Sequence, residues 1–149
     1  EQRDKDIETT RKACEKFKTQ PITIMNYVEG TRFTREKHIA RKSPYKNLLP
    51  PKAGGIAFVL ATLEDYIQFI VDTTIIYHTD EISFWNFLCG RIPNITVKYT
   101  VIPVPAHLRG DYYHDKEFRK QFQQWLNERW LMKDNIITQE RVAKIKPSR

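Results

Sequence analysis

The sequence predicts an α/β fold, a mixed sheet flanked by helices. Three observations carry this expectation. "ITIMNYV" (Ile22–Val28) is near-continuously apolar and rich in β-branched residues, the pattern of a strand buried on both faces. "IQFIVDTTIIY" (Ile67–Tyr77) and "ITVKYTVIPV" (Ile95–Val104) are two further β-rich runs. In the second, Ile95, Val97, Tyr99 and Val101 alternate with their neighbours. Phe118, Phe122, Trp125, Leu126 and Trp130 recur at helical spacing. A chain of 149 residues suits a single domain over 1–149.

The elements follow in order. Asp4–Lys18 reads as a helix with a modest apolar stripe of Ile7, Thr10, Cys14 and Phe17, ended by Pro21. The strand Ile22–Val28 comes next. The loop Glu29–Arg32 then sits at that strand's carboxyl end, where open α/β sheets place their ligands. "NLLPP" is extended, because a residue before proline is held away from helix. Ala53–Tyr66 is apolar nearly all round and reads as a buried helix. The two strands follow, and then a helix from Asp115, whose side chain suits an N-cap. The polar, basic tail after Lys133 is expected to fray.

Composition sets the boundaries of function. Forty per cent of residues are hydrophobic and 12% aromatic, enough for a packed core. Twenty-five Lys or Arg against 18 Asp or Glu give a net charge of +7, which favours anionic partners. Cys14 and Cys89 lie far apart, match no metal-ligand spacing and make no disulfide framework. The apolar runs are too short to span a bilayer. The chain opens inside a charged stretch without an initiator methionine, which reads as a cut through a longer protein.

Three stretches suggest chemistry. Glu29-Gly30-Thr31-Arg32 sets a carboxylate and a guanidinium around a glycine that permits a tight turn. The planar fork of Arg32 matches a phosphate or carboxylate bidentately. The plain reading is a surface turn with one ion pair. From Arg32 to Lys52 there are seven Lys or Arg against the single acid Glu36. This segment either concentrates anions or simply solvates a loop; its few aromatics argue against single-stranded nucleic acid. The third stretch, "ISFWNFLCGRIP" (Ile82–Pro93), is a short apolar patch around Trp85. It reads either as a core-capping loop or helix, or as a patch for a membrane interface or an acyl-chain groove. The histidines His38, His78, His107 and His114 are scattered and come with no nucleophile. No metal site is expected. Asp72, inside an apolar strand, reads as a satisfied structural carboxylate.

"VEGTRFTREKH", "LLPPKAGG" and "WLNERWLMKD" together resemble the glycerolipid acyltransferases, in particular the lysophosphatidic acid acyltransferases (1-acylglycerol-3-phosphate O-acyltransferases). Glu29-Gly30-Thr31-Arg32 is similar to that family's third signature block. Phe33-Thr34 with Lys37-His38 resembles one subgroup's extension of it. Leu48-Leu49-Pro50 with Gly54 is similar to the fourth block. Trp125-Leu126, Arg129-Trp130 and Lys133-Asp134 resemble that subgroup's later helix. Two departures stand out: Val28 occupies a place usually held by proline or cysteine, and Ala53 stands where a lysine often precedes the glycine, with Lys52 one place earlier.

The family's first block, His-x-x-x-x-Asp, is absent, since Ser43, Ser83, Tyr112 and Arg119 stand five places after the four histidines. The resemblance therefore implies the C-terminal part of the acyltransferase fold, without the catalytic block or membrane-embedding helices, and inactive by itself. It implies a phosphate site at Glu29, Gly30, Thr31 and Arg32, with Arg35, Lys37 and Lys52 as secondary anion contacts. It implies no bound cofactor, with acyl-CoA or acyl carrier protein as co-substrate and a lysophospholipid as acceptor. The expected setting is a membrane surface on the cytoplasmic face, with no nucleic-acid partner. A homodimer is expected if the isolated chain exposes a sheet edge or apolar face. The alternative is a non-catalytic basic module that docks on anionic membrane or acyl carrier protein.

Overall fold

A computed structural model describes residues 23–63, 66–92 and 94–145. The helix expected over Asp4–Lys18 lies outside them. The described elements are α1 (Arg35–Ala40), α2 (Ala53–Leu63), β1 (Phe69–Tyr77), α3 (Phe84–Leu88), β2 (Ile95–Pro103), a 3-10 turn at Ala106–Leu108, and α4 (Lys116–Ile145). They make an α/β arrangement of helices around a small sheet, as expected. Among the described residues the sheet has two strands, β1 beside β2. Gln68 is bonded to Val104 at one end and His78 to Asn94 at the other, so the pair runs antiparallel.

The chain divides into two compact units. The first holds 1–32, 51–69 and 103–126. Its described core joins Ala53, Ala57, Leu60 and Leu63 of α2 with Leu108, Phe122 and Leu126, all buried. Tyr112, Tyr113, Phe118, Phe122 and Trp125 form a chain of edge-on and tilted ring contacts with centroids 5.6–5.9 Å apart. Asp115 caps α4, its carboxylate accepting from the backbone N–H groups of Glu117 and Phe118 at 2.9 and 3.0 Å.

The second unit holds 33–50, 70–102 and 127–149. One face of the hairpin carries Asp72, Thr74 and Ile76, of which Thr74 and Ile76 are buried. Asp72 pairs with Lys133 at 2.5 Å and with Arg129 at 3.2 Å, and Lys133 also donates to the Thr73 carbonyl at 2.9 Å. The carboxylate inside the apolar strand is satisfied, as its setting in the sequence indicated. The opposite face carries Val71, Ile75, Val97, Tyr99 and Val101, all exposed.

Two expectations are corrected. Residues 23–27 form no strand, and Ile24, Met25 and Tyr27 are exposed. A strand exists through ladder bonds to a neighbour, and among the described residues β1 and β2 pair only with each other. Over its described part the tail after Lys133 is not frayed: α4 continues to Ile145. Asp134 is only 5% exposed and accepts from the backbone N–H groups of Lys46 and Asn47 at 2.9 and 2.7 Å. The Asn47 side chain adds bonds to Asp134 and Thr138 at 3.0 and 2.9 Å. These bonds fasten the 43–50 loop to the helix.

Tyr45, in the same loop, is 7% exposed. Burial pushes its phenol above the ordinary range, and the negative charge of Asp134 adds to the effect. A raised folded-state value means that the neutral phenol stabilises the fold below about pH 10, and that this stability drains as pH rises through the folded value. Tyr45→Phe is expected to lose less stability than the native chain above about pH 10 in urea titrations. Parallel loss in both chains contradicts this.

Candidate functional site

The loop Glu29–Arg32 is built by a turn. The N–H of Gly30 donates to the Tyr27 carbonyl at 2.8 Å, and Gly30 has φ +68°. That is the left-handed region, where a Cβ is penalised. The space around Gly30 is open enough, since an added Cβ would meet only the Lys52 side chain, at 3.7 Å. Gly30→Ala is therefore expected to cost about 1–2 kcal/mol through backbone strain rather than collision. An unchanged urea midpoint contradicts it.

Lys52 is held to this loop twice. Its backbone N–H donates to the Val28 carbonyl at 2.9 Å, and its side chain lies against Gly30. One residue later α2 begins, so the positive end of an 11-residue helix adjoins the loop's ammonium. Glu29 and Thr31 are partly buried, while Gly30 and Arg32 are exposed. The structure thus brings a hydroxyl, an ammonium and a guanidinium onto one glycine turn. Charge and directed donors of these kinds are the chemistry that oxyanion recognition uses.

Other residues position this stretch. The Asn26 amide lies so close to Gly55 that a Cβ there would sit 3.2 Å from its Nδ2. Gln123 donates to the Pro51 carbonyl at 3.3 Å, and the Tyr113 hydroxyl to the Gly54 carbonyl at 3.4 Å. Sequence reading named none of these three. The paired glycines of "AGG" were the one available sign of a close approach.

Arg35 and Lys37 belong to the second unit, on the six-residue helix α1. The Phe-Thr and Lys-His signature has a local cause there. Thr34 is the N-cap of α1, accepting from the Lys37 N–H at 3.3 Å. Phe33 packs on the His38 ring with centroids 5.6 Å apart, and His38 Nε2 meets the Tyr45 carbonyl at 2.6 Å. His38 is accordingly engaged in holding the loop. Glu36 is held below the usual carboxylate range by its own backbone N–H and by the Thr34 hydroxyl. Arg35 is exposed and Lys37 partly buried.

One histidine does meet an aspartate. His114 Nδ1 lies 2.7 Å from Asp111, which also accepts from the backbone N–H groups of Tyr113 and His114. The backbone bond from His114, then its ring, hold the Asp111 carboxyl below the usual range. The pair is well exposed, which suits a turn-closing contact rather than an oriented base. Among the described residues no group of His, Cys, Asp and Glu could hold a metal ion, and no helix is long and apolar enough to cross a membrane.

The chain is 27% identical over 129 residues to a 2-acyl-1-lysophosphatidylinositol acyltransferase of Saccharomyces cerevisiae, a match covering 78% of this chain and 32% of the relative. The chain thus spans about a third of that curated relative. No family model matches the chain, and no solved structure does. The similarity supports an acyltransferase relationship.

Proposed function

We propose that this chain is the acceptor-phosphate-binding part of a lysophospholipid acyltransferase acting at a membrane surface. The reaction moves an acyl group from acyl-CoA or acyl carrier protein to the free hydroxyl of a lysophospholipid such as 1-acylglycerol-3-phosphate. The observation that carries the reading is the Gly30 turn, which sets Arg32 on a loop that Lys52 covers. In the reaction the acceptor oxygen bonds to the thioester carbon, the carbon–sulfur bond breaks, and the hydroxyl proton is removed by a base. This chain's share is to fix the acceptor by its phosphate so that the hydroxyl arrives in register. Arg32 supplies the bidentate contact, Thr31 a hydroxyl donor and Lys52 a point charge, while Glu29 braces the turn. Arg35 and Lys37 are secondary anion contacts of the second unit.

The exposed cations of α1 and its flank, Arg35, Arg41 and Lys42, favour a second reading, a non-catalytic basic module for anionic surfaces. Calorimetric titration with short-chain lysophosphatidate and the matching monoacylglycerol separates the two. The first reading requires a clear preference for the phosphorylated ligand at the Arg32 loop, and equal binding of both rejects it. Supplied with acyl-CoA and lysophosphatidate, the chain alone is expected to form no phosphatidate above blank, because it contains no His-x-x-x-x-Asp block. Turnover by the purified chain contradicts this assignment of roles.

A further inference from the structure

The hairpin joining β1 to β2 ends in α3, whose outward side chains are all apolar. Ile82, Phe84, Trp85, Phe87 and Leu88 are 53–72% exposed. The expectation of a core-capping element is corrected here, because these side chains cap no core. Large side chains cover about 150–250 Å² each when buried, so five at this exposure present on the order of 600 Å² of apolar surface. That reaches the upper end of what monomers expose without a partner, the size at which a patch marks an interaction site.

The backbone of this tip is closed on itself. Ser83 caps α3, accepting from the Asn86 N–H at 3.0 Å, and Asn86 Nδ2 donates to the Glu81 carbonyl at 2.9 Å. At the other end Gly90, with φ +68°, donates to Phe87 at 3.1 Å, and Arg91 donates to Asn86 at 2.8 Å. This is a Schellman stop, which satisfies the last carbonyls of the helix. The two polar side chains in the segment are therefore used up in capping. Internal pairing of backbone groups lowers the cost of entering a low-dielectric layer, and both ends of this helix have such pairs.

Around the base stand Asp80, Glu81, Arg91 and Arg141, with Arg141 bonded to Asp80 at 2.8 Å. Two acids and two bases leave this collar without net charge. An apolar knob containing Trp above a neutral polar collar matches the boundary between headgroups and acyl chains of a zwitterionic bilayer.

We infer that the tip Ile82–Leu88 is a preformed anchor that seats in the headgroup–acyl boundary of a phospholipid bilayer. The choice of a lipid surface over a protein partner rests on the lysophospholipid reading above. The anchor tethers the chain to the kind of surface where lysophospholipids reside. It differs from attraction by the basic segment, which requires anionic lipid and weakens with salt.

The test is partition of the chain onto phosphatidylcholine vesicles at low and high salt, with brominated phosphatidylcholine as quencher of tryptophan emission. The native chain is expected to bind equally at both salt levels and to be quenched. The pair Phe84→Asp and Trp85→Asp, on exposed positions that leave the circular dichroism spectrum unchanged, is expected to weaken partition at least ten-fold. Trp85→Phe is expected to keep partition and lose most of the quenching. Absence of native binding overturns the inference, and so does binding that survives the Asp pair. A native oligomer that the Asp pair dissolves, with no vesicle binding, also overturns it and assigns the tip to a protein contact. Arg32→Ala should leave partition unchanged, so failure here is distinguishable from failure of the phosphate site.

Discussion

Asp72→Ala is expected to destabilise the chain by about 3 kcal/mol, the cost of leaving buried charge without its partner. The side chain of Lys133 is only 10% exposed, and Asp72 is its counter-ion at 2.5 Å. The same carboxylate holds Arg129, a quarter exposed, at 3.2 Å. Removing it strands two cations at the back of the sheet. Lys133 retains the Thr73 carbonyl and the face of the Trp130 ring, 5.0 Å from its ammonium, and neither carries a formal negative charge. Breaking the pair is the costly step, because burying a matched ion pair gains little over burying apolar groups. Asp72→Val combined with Arg129→Met and Lys133→Met is therefore expected to recover most of the loss. Urea titration decides it: a shift of the midpoint worth less than about 1 kcal/mol for Asp72→Ala means that these cations are solvated and that the triad contributes little.

Asp72 also shows what a sequence discloses. An acid inside "FIVDTTIIY" demands partners, so its satisfaction was readable. Which partners it takes was not, since Arg129 and Lys133 lie far along the chain. β1, β2, α2 and the Asp115 cap were legible because their signals are local: alternation, apolar runs, a capping carboxylate. Residues 23–27 have equally strong strand propensity and form none, because strand structure depends on a neighbour to pair with. The extension of α4 past Lys133 was hidden for a related reason. Its polar composition reads as a tail until Asp134 is seen gripping the backbone of Lys46 and Asn47. The Trp85 tip was misleading in the opposite direction, because apolar composition suggests a core while exposure is a tertiary property. At the candidate site, the residue types of the Arg32 loop and the charge of Lys52 were visible in sequence. The cover of Lys52 over Gly30, and the support from Asn26, Gln123 and Tyr113, were not.

Arg32→Ala is expected to cost about 1.5–3 kcal/mol of affinity for a phosphorylated acceptor, roughly 10- to 150-fold in Kd. The figure is that of a charge-assisted hydrogen bond, lower than for a buried pair, because Arg32 is exposed. Arg32→Lys should recover only part of the affinity, since an ammonium keeps the charge and loses the planar fork. Glu29→Ala should act mainly on stability if Glu29 braces the turn. If Arg32 merely shapes the loop, both alanine variants should lower stability alike and neither should distinguish a phosphorylated acceptor from an unphosphorylated one.

The most direct test of the phosphate-binding role is the ratio of Kd values for short-chain monoacylglycerol and lysophosphatidate, measured by calorimetry on the native chain and on Arg32→Ala. A ratio well above one that falls at least ten-fold in the variant, with the urea midpoint unchanged, is the predicted result. A ratio that Arg32→Ala leaves unaltered contradicts the assignment of the Glu29–Arg32 loop as the acceptor's phosphate site.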